Sequence, residues 1–184
     1  MARIRVSPPL MVDELVVREY TLADVAALDA AIVRNREYLL PWIGPWINDE
    51  PIGIERRTEL VRTWLGEYEQ GRAEAIGIFD DGELVGSTGL HDRNGPADVE
   101  IGYWVDQDCQ GRGIATRVSR ALVDFAFAHP EVQRVLIAHN APNAKSRRVP
   151  EKLGFRQVPA EHCGCGPDTV MWECTRDMWT AARR

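Results

Sequence analysis

The sequence predicts an α/β (α+β) fold, a mixed and mostly antiparallel sheet of about six to seven strands flanked by about four helices. Three observations carry that prediction. Val99, Ile101, Tyr103 and Val105 alternate with Glu100, Gly102 and Trp104, the period of a strand with two differently lined faces. Ile114, Val118, Ala121, Leu122 and Phe125 recur at helical spacing and form one apolar stripe, which His129-Pro130 ends. Val135-Leu136-Ile137-Ala138 is a continuous apolar run, as expected of a strand covered on both faces. Strand, Gly-rich turn, helix and strand in that order form a right-handed crossover unit.

The remaining elements follow in chain order. A first strand falls near residues 14–20, and a helix follows it, with Thr21 or Asp24 as cap and Val25, Leu28 and Ile32 turned inward. Pro41, Gly44, Pro45 and Pro51 are expected to break the pattern. A second helix spans about 54–70, with Leu60, Val61, Trp64 and Leu65 on its apolar face and Gly71 at its end. Residues 73–79 and 84–90 read as strands joined through Asp80-Asp81-Gly82-Glu83, whose Asp-Gly pair suits a hairpin, and 98–105 is the next strand. A short helix is expected over about 143–153, closed by Gly154, and Pro150 inside it should kink or bulge it, because proline costs about 3 kcal/mol in a helix interior. Strands near 154–158 and 168–174 complete the sheet. The length suits a single domain over 1–184.

Chemistry concentrates at Gln110-Gly111-Arg112-Gly113-Ile114-Ala115-Thr116. Two glycines let backbone N–H groups approach an anion, and the helix that follows aims its unpaired amides and positive dipole end at the same point, so a pyrophosphate fits there. A dinucleotide-binding fingerprint wants glycine where Thr116 stands and an acidic residue ending the next strand, where Ala138-His139-Asn140 is found. A nucleoside-triphosphate P-loop needs Gly-Lys-Ser or Gly-Lys-Thr, and the lysine is absent. A turn that simply needs permissive dihedrals stays open as the bland alternative.

A second segment, Asn143-Ala144-Lys145-Ser146-Arg147-Arg148-Val149-Pro150-Glu151-Lys152-Leu153-Gly154-Phe155, narrows the choice. Together with the Gly turn it resembles the GNAT superfamily of N-acetyltransferases, specifically the RimJ/RimL-like branch. The turn matches the family's Gln/Arg-x-x-Gly-x-Gly/Ala loop through Gln110, Gly113 and Ala115, and the second segment matches the branch's Asn-x-x-Ser and Lys-Leu-Gly-Phe ending. The resemblance runs from Leu15 to about Trp172 and implies acetyl-coenzyme A (acetyl-CoA) as co-substrate, held by the loop residues Gln110 to Thr116.

That resemblance implies roles. A protonated amine must lose a proton before it attacks a thioester, and Glu100, on the strand leading into the turn, is the first choice as base; a solvated or ion-paired strand carboxylate is the alternative. Asp92, His91 and Glu74 are weaker choices. Ser146 would meet the departing thiolate, or else serve only as a first-turn serine bonded to backbone. A backbone N–H near Val105 would face the developing oxyanion, and Asn143, less readily Asn140, would hold the pantetheine arm while also able to cap the helix. Arg112 is the arginine expected to pair with phosphate oxygens. Trp42 and Trp46, between the first two helices, would line the acceptor groove, or else pack as core. The acceptor is a primary amine: a protein N-terminal α-amine by resemblance, a small-molecule amine such as an aminoglycoside or polyamine as the alternative. A non-catalytic acyl-CoA-binding module is the third reading.

A net charge of −6, with arginines and lysines gathered around the two motifs, favours a cationic acceptor and argues against nucleic acid. There is no run of eighteen apolar residues and no secretory hydrophobic segment, so a soluble, cytoplasmic protein with no membrane partner is expected. Cys109, Cys163, Cys165 and Cys174 lack paired C-x-x-C spacing, so reduced thiols and no metal are expected. Homodimers are frequent in the resembled branch.

Overall fold

A computed structural model describes residues 4–47, 53–73, 75–93, 95, 97–159 and 168–182. One sheet has the order β1-β2-β3-β4-β5-β6-β8-β7. Its strands are β1 (Leu10–Val12), β2 (Leu15–Glu19), β3 (Ile76–Asp80), β4 (Glu83–His91), β5 (Asp98–Val105), β6 (Arg134–Asn140), β7 (Arg156–Val158) and β8 (Thr169–Thr175). Among the described strands only the β5–β6 neighbours are parallel. The helices are α1 (Val25–Ile47), α2 (Gly53–Glu69), α3 (Ile114–Ala128), α4 (Ala144–Lys152) and α5 (Arg176–Ala181). The mixed sheet is the expected one, with eight strands rather than about six to seven and five helices rather than about four among the described residues. The added elements, β1 and α5, are too short for a periodic signal.

Local chemistry sets most boundaries. Thr21 and Asp24 tie down the turn ahead of α1: the Thr21 N–H and hydroxyl both donate to Asp24 Oδ2, at 2.7 and 2.8 Å, and the Asp24 N–H donates to the Thr21 carbonyl at 3.1 Å. The β3–β4 turn places Asp81 at φ 47° and Gly82 at φ 82°, both positive as a type I′ hairpin requires. Gly154 ends the α4 segment at φ 76°. The expected break near Pro41, Gly44 and Pro45 takes the form of a kink at Ile43, whose φ −128° and ψ 25° are not helical; two helical stretches meet there and the second runs to Ile47. Pro150 lies inside α4, which runs on to Lys152.

The sheet separates two cores. On one face Ile114, Val118 and Leu122 of α3 pack against Val99 and Ile101 of β5 and Val135 and Ile137 of β6. On the other, Leu28, Ile32 and Leu39 of α1 and Val61 of α2 pack against Phe79 and Leu84, and Trp104 joins them. Side chains alternate along a strand, so Glu100 shares the α1–α2 face with Trp104, while Tyr103 and Val105 face α3.

Candidate active site

The parallel pairing of β5 with β6 is short. Its register runs only from Asp98 opposite Arg134 to Glu100 opposite Leu136, although β5 continues to Val105 and β6 to Asn140. Beyond that point the strands part, and a cavity of about 990 Å³ opens between them, lined by Gly102–Val105 on one side and Ala138–Asn140 on the other. That volume is at the upper end of the roughly 300–1,000 Å³ common for small-molecule sites. The Asp106 N–H donates to the Val85 carbonyl at 2.9 Å, so by strand alternation the Val105 N–H points away from β4 and toward the split.

The Gly turn closes one end of the cavity. Gln110, Gly111, Gly113, Ile114, Ala115 and Thr116 all line it. Gly111 and Gly113 hold φ of 78° and 74°, and a Cβ at either would meet nothing within 4 Å, so no side chain fills the turn. Gly113 is the N-cap of α3 and supplies no side-chain bond to the first-turn amides; the first N–H bonded back to it is that of Arg117, to the Gly113 carbonyl at 3.0 Å. Those earlier amides are left to a ligand or solvent.

A buried network fixes the entry to this turn, which sequence reasoning missed. Asp106 is 2% exposed and accepts from Arg34, from Asn35 Nδ2 at 2.8 Å and from the Asp108 N–H at 3.0 Å. Asn35, fully buried, also accepts from the Gln107 N–H at 2.8 Å and donates to the Ala31 carbonyl at 2.9 Å. The network therefore ties α1 to the segment preceding Gly111. Burial pushes the Asp106 carboxyl up, but the Asp108 N–H, Asn35 and Arg34 outweigh it and hold it below the ordinary carboxylate range. A depressed folded-state value contributes stability that is present above the unfolded value near about 4 and lost as pH falls through the folded one. The urea midpoint should therefore drop below about pH 4, and Asp106→Asn should flatten that drop. Asn35→Ala should cost about 2–4 kcal/mol in urea unfolding, because it strands several buried partners.

On the α4 side Asn143 caps the helix, its Oδ1 accepting from the Ser146 N–H at 3.0 Å, and both residues line the cavity. The Tyr103 hydroxyl lies 3.1 Å from both the carbonyl oxygen and the Oγ of Ser146. Burial raises the Tyr103 phenol to about 12, with the Ser146 bond opposing, so it remains a neutral donor at working pH. Lys145 reaches across to Gln110 Oε1 at 2.7 Å and sits 5.3 Å from the Tyr38 ring.

Arg112 departs from expectation. It does not line the cavity; its guanidinium pairs with Asp80 at 2.6 Å and stands 3.9 Å from Glu14. Arg117 is likewise held by Asp13 and Glu14. On the α4 side of the cavity wall, positive charge comes from Lys145, Arg148 and Lys152, at one-turn spacing; Arg57 and Arg93 line it elsewhere.

At the other end Glu100 is 6% exposed, lines the cavity and lies 3.6 Å from the Arg93 guanidinium. His91, its cross-strand partner, lines the cavity too; Asp92 does not, and Glu74 lies outside the described residues. Tyr38, Trp42, Trp64 and Trp104 also line the cavity. The side chain of Trp46 lies outside the described residues. His139 is fixed by its neighbours: the Trp172 indole N–H donates to its Nε2 at 3.0 Å, which leaves Nδ1 to donate to the Asn140 carbonyl at 2.9 Å. Cys109 lines the cavity and Cys174 is buried; Cys163 and Cys165 lie outside the described residues. Among the described residues no cluster of His, Cys, Asp and Glu could hold a metal, and no helix is long and apolar enough to cross a membrane.

Comparison with known proteins gives the same architecture. The family profile described as Acetyltransferase (GNAT) domain matches residues 14–156. YdaF of Bacillus subtilis (strain 168), provisionally named a ribosomal N-acetyltransferase, is 31% identical over 144 residues, which is 78% of each chain. An aminoglycoside N(6')-acetyltransferase type 1 of Serratia marcescens is 26% identical over 164 residues, 89% of this chain and 70% of its own. The structure of Mycobacterium smegmatis RimJ in complex with CoA-disulfide superposes with a TM-score of 0.74 at 24% identity, covering 96% of this chain and 93% of that one.

Proposed function

Because the chain belongs to the GNAT acetyltransferase family, we propose that it moves an acetyl group from acetyl-CoA directly to a primary amine, with a protein N-terminal α-amine as the acceptor. The observation that carries this reading is the uncapped first turn of α3 opening into a split between β5 and β6 whose far end holds a buried carboxylate. On this reading the turn is the anion cradle, the split is the slot for a narrow arm and Glu100 is the base.

The residues divide the work as follows. The amides from Gly111 to Thr116 hold the diphosphate, with Lys145 and Arg148 supplying charge in place of Arg112. Asn143, whose side-chain oxygen caps α4, holds the pantetheine arm through its amide nitrogen. The Val105 N–H meets the carbonyl oxygen as negative charge develops on it. Glu100 accepts the proton that the acceptor ammonium loses, so that nitrogen can form the new bond to the acetyl carbon while the bond to sulfur breaks. The Ser146 hydroxyl donates to the departing thiolate. Trp42 and the neighbouring aromatic rings hold the acceptor, where an ammonium group is attracted to ring faces as well as to Glu100.

The name of YdaF supports a ribosomal-protein terminus as acceptor, and the aminoglycoside relative supports a small amine instead. Thiol release from acetyl-CoA, followed against a panel of N-terminal peptides, aminoglycosides and polyamines, separates them. Turnover on peptides alone is the expected result. Turnover on small amines alone removes the protein acceptor, and tight acetyl-CoA binding without turnover on any acceptor favours a binding module.

A further inference from the structure

Pro150 and Tyr103 are linked by a carbonyl. In a regular helix the Ser146 carbonyl accepts from the N–H four residues on, which is position 150, and proline has none. The carbonyl accepts instead from the Tyr103 hydroxyl, 3.1 Å away on β5. A phenol carries one proton. At the equal 3.1 Å contact between Tyr103 Oη and Ser146 Oγ either oxygen can donate, and with the phenol proton on the Ser146 carbonyl it is the serine that donates. A serine in a helix ordinarily turns its hydroxyl back to a carbonyl one turn earlier; Tyr103 offers this one an acceptor on the cavity side instead.

We propose that Tyr103 is a positioning residue for Ser146, and that Pro150 makes it one by freeing the carbonyl that anchors the phenol. The proposal rests on Ser146 being the group that meets the departing thiolate. Tyr103 holds the Ser146 side chain in one rotamer facing the cavity, and its own oxygen keeps the hydroxyl proton off the helix. When sulfur accumulates charge, that proton has only to turn from Tyr103 Oη to the thiolate, with the oxygen already in place. Tyr103 itself touches neither sulfur nor acceptor in this account.

The test is a set of variants read by kcat, by KM for acetyl-CoA and by Tm. Tyr103→Phe should lower kcat by about ten- to a hundredfold with KM changed less than about twofold, because geometry is lost and binding is not. Its Tm should fall by about 2–8 °C, since the Ser146 carbonyl loses its donor. Pro150→Ala in the Tyr103→Phe background restores an N–H to that carbonyl, so Tm should recover while kcat stays low. In a Ser146→Ala background Tyr103→Phe should lower kcat no further. Recovery of kcat together with Tm would reduce Tyr103 to a structural prop and overturn the proposal. So would losses from Ser146→Ala and Tyr103→Phe that multiply in the double variant. A Ser146→Ala enzyme with undiminished kcat would instead remove the role of Ser146, and the proposal with it.

Discussion

Gly113→Glu is expected to weaken acetyl-CoA binding by about 10²–10⁴-fold while leaving a folded protein. The estimate assumes loss of about two charge-assisted hydrogen bonds from backbone N–H groups, each worth about 1.5–3 kcal/mol. A carboxylate there competes for the same uncapped amides that face the cavity and brings negative charge to an anion site. Gly113 sits at φ 74°, so any side chain adds strain of about 1–2 kcal/mol, small against a typical domain stability of about 5–15 kcal/mol. Gly82→Glu is the matched control. It has the same sign of φ, at 82°, and equally open surroundings, but lies in the β3–β4 turn and does not line the cavity. It should show the strain in Tm without the loss of affinity, measured by calorimetric titration of acetyl-CoA.

Glu100→Gln is the second large effect, a fall in kcat of about 10²–10⁴-fold at neutral pH with KM for acetyl-CoA nearly unchanged. The substitution keeps the shape of a side chain that is 6% exposed and removes its charge, and with it both the capacity to take a proton and the ion pair with Arg93. The pH dependence carries the sign. The base is needed because the acceptor is an ammonium, and an α-amine deprotonates by itself near about pH 8. The deficit of the variant should therefore narrow as pH rises through that region. Wild-type turnover in Glu100→Gln at neutral pH would leave the proton to His91 or to solvent.

The sequence made the crossover legible because each of its parts is a strong local signal: alternation in 98–105, a five-residue stripe in α3, a continuous apolar run in β6 and two glycines between them. Both glycines do adopt positive φ with open space beside them. Glu100, Asn143 and Ser146 lie on one cavity because β5, β6 and α4 converge there, and the family resemblance anticipated that convergence. Side-chain partnerships were not legible. Arg112 stands beside the turn in sequence, yet Asp80 and Glu14, brought in by β2 and the β3–β4 hairpin, claim its guanidinium. The Asn35–Asp106 bond spans 71 positions, and no periodicity encodes it. Pro150 was visible as an anomaly, but the group that answers it lies on another strand. The kink at Ile43, by contrast, falls among Pro41, Gly44 and Pro45, where those residues signal a break in the helical pattern.

The central claim is that the backbone amides around Gly113 hold the diphosphate of acetyl-CoA, with the thioester arm lying between β5 and β6. A crystal structure with coenzyme A bound tests it most directly. The account predicts diphosphate oxygens within hydrogen-bonding distance of the N–H groups of Ile114, Ala115 and Thr116, and the pantetheine arm running past Val105 toward Ser146. A diphosphate seated elsewhere, with those amides bonded only to solvent, would contradict it.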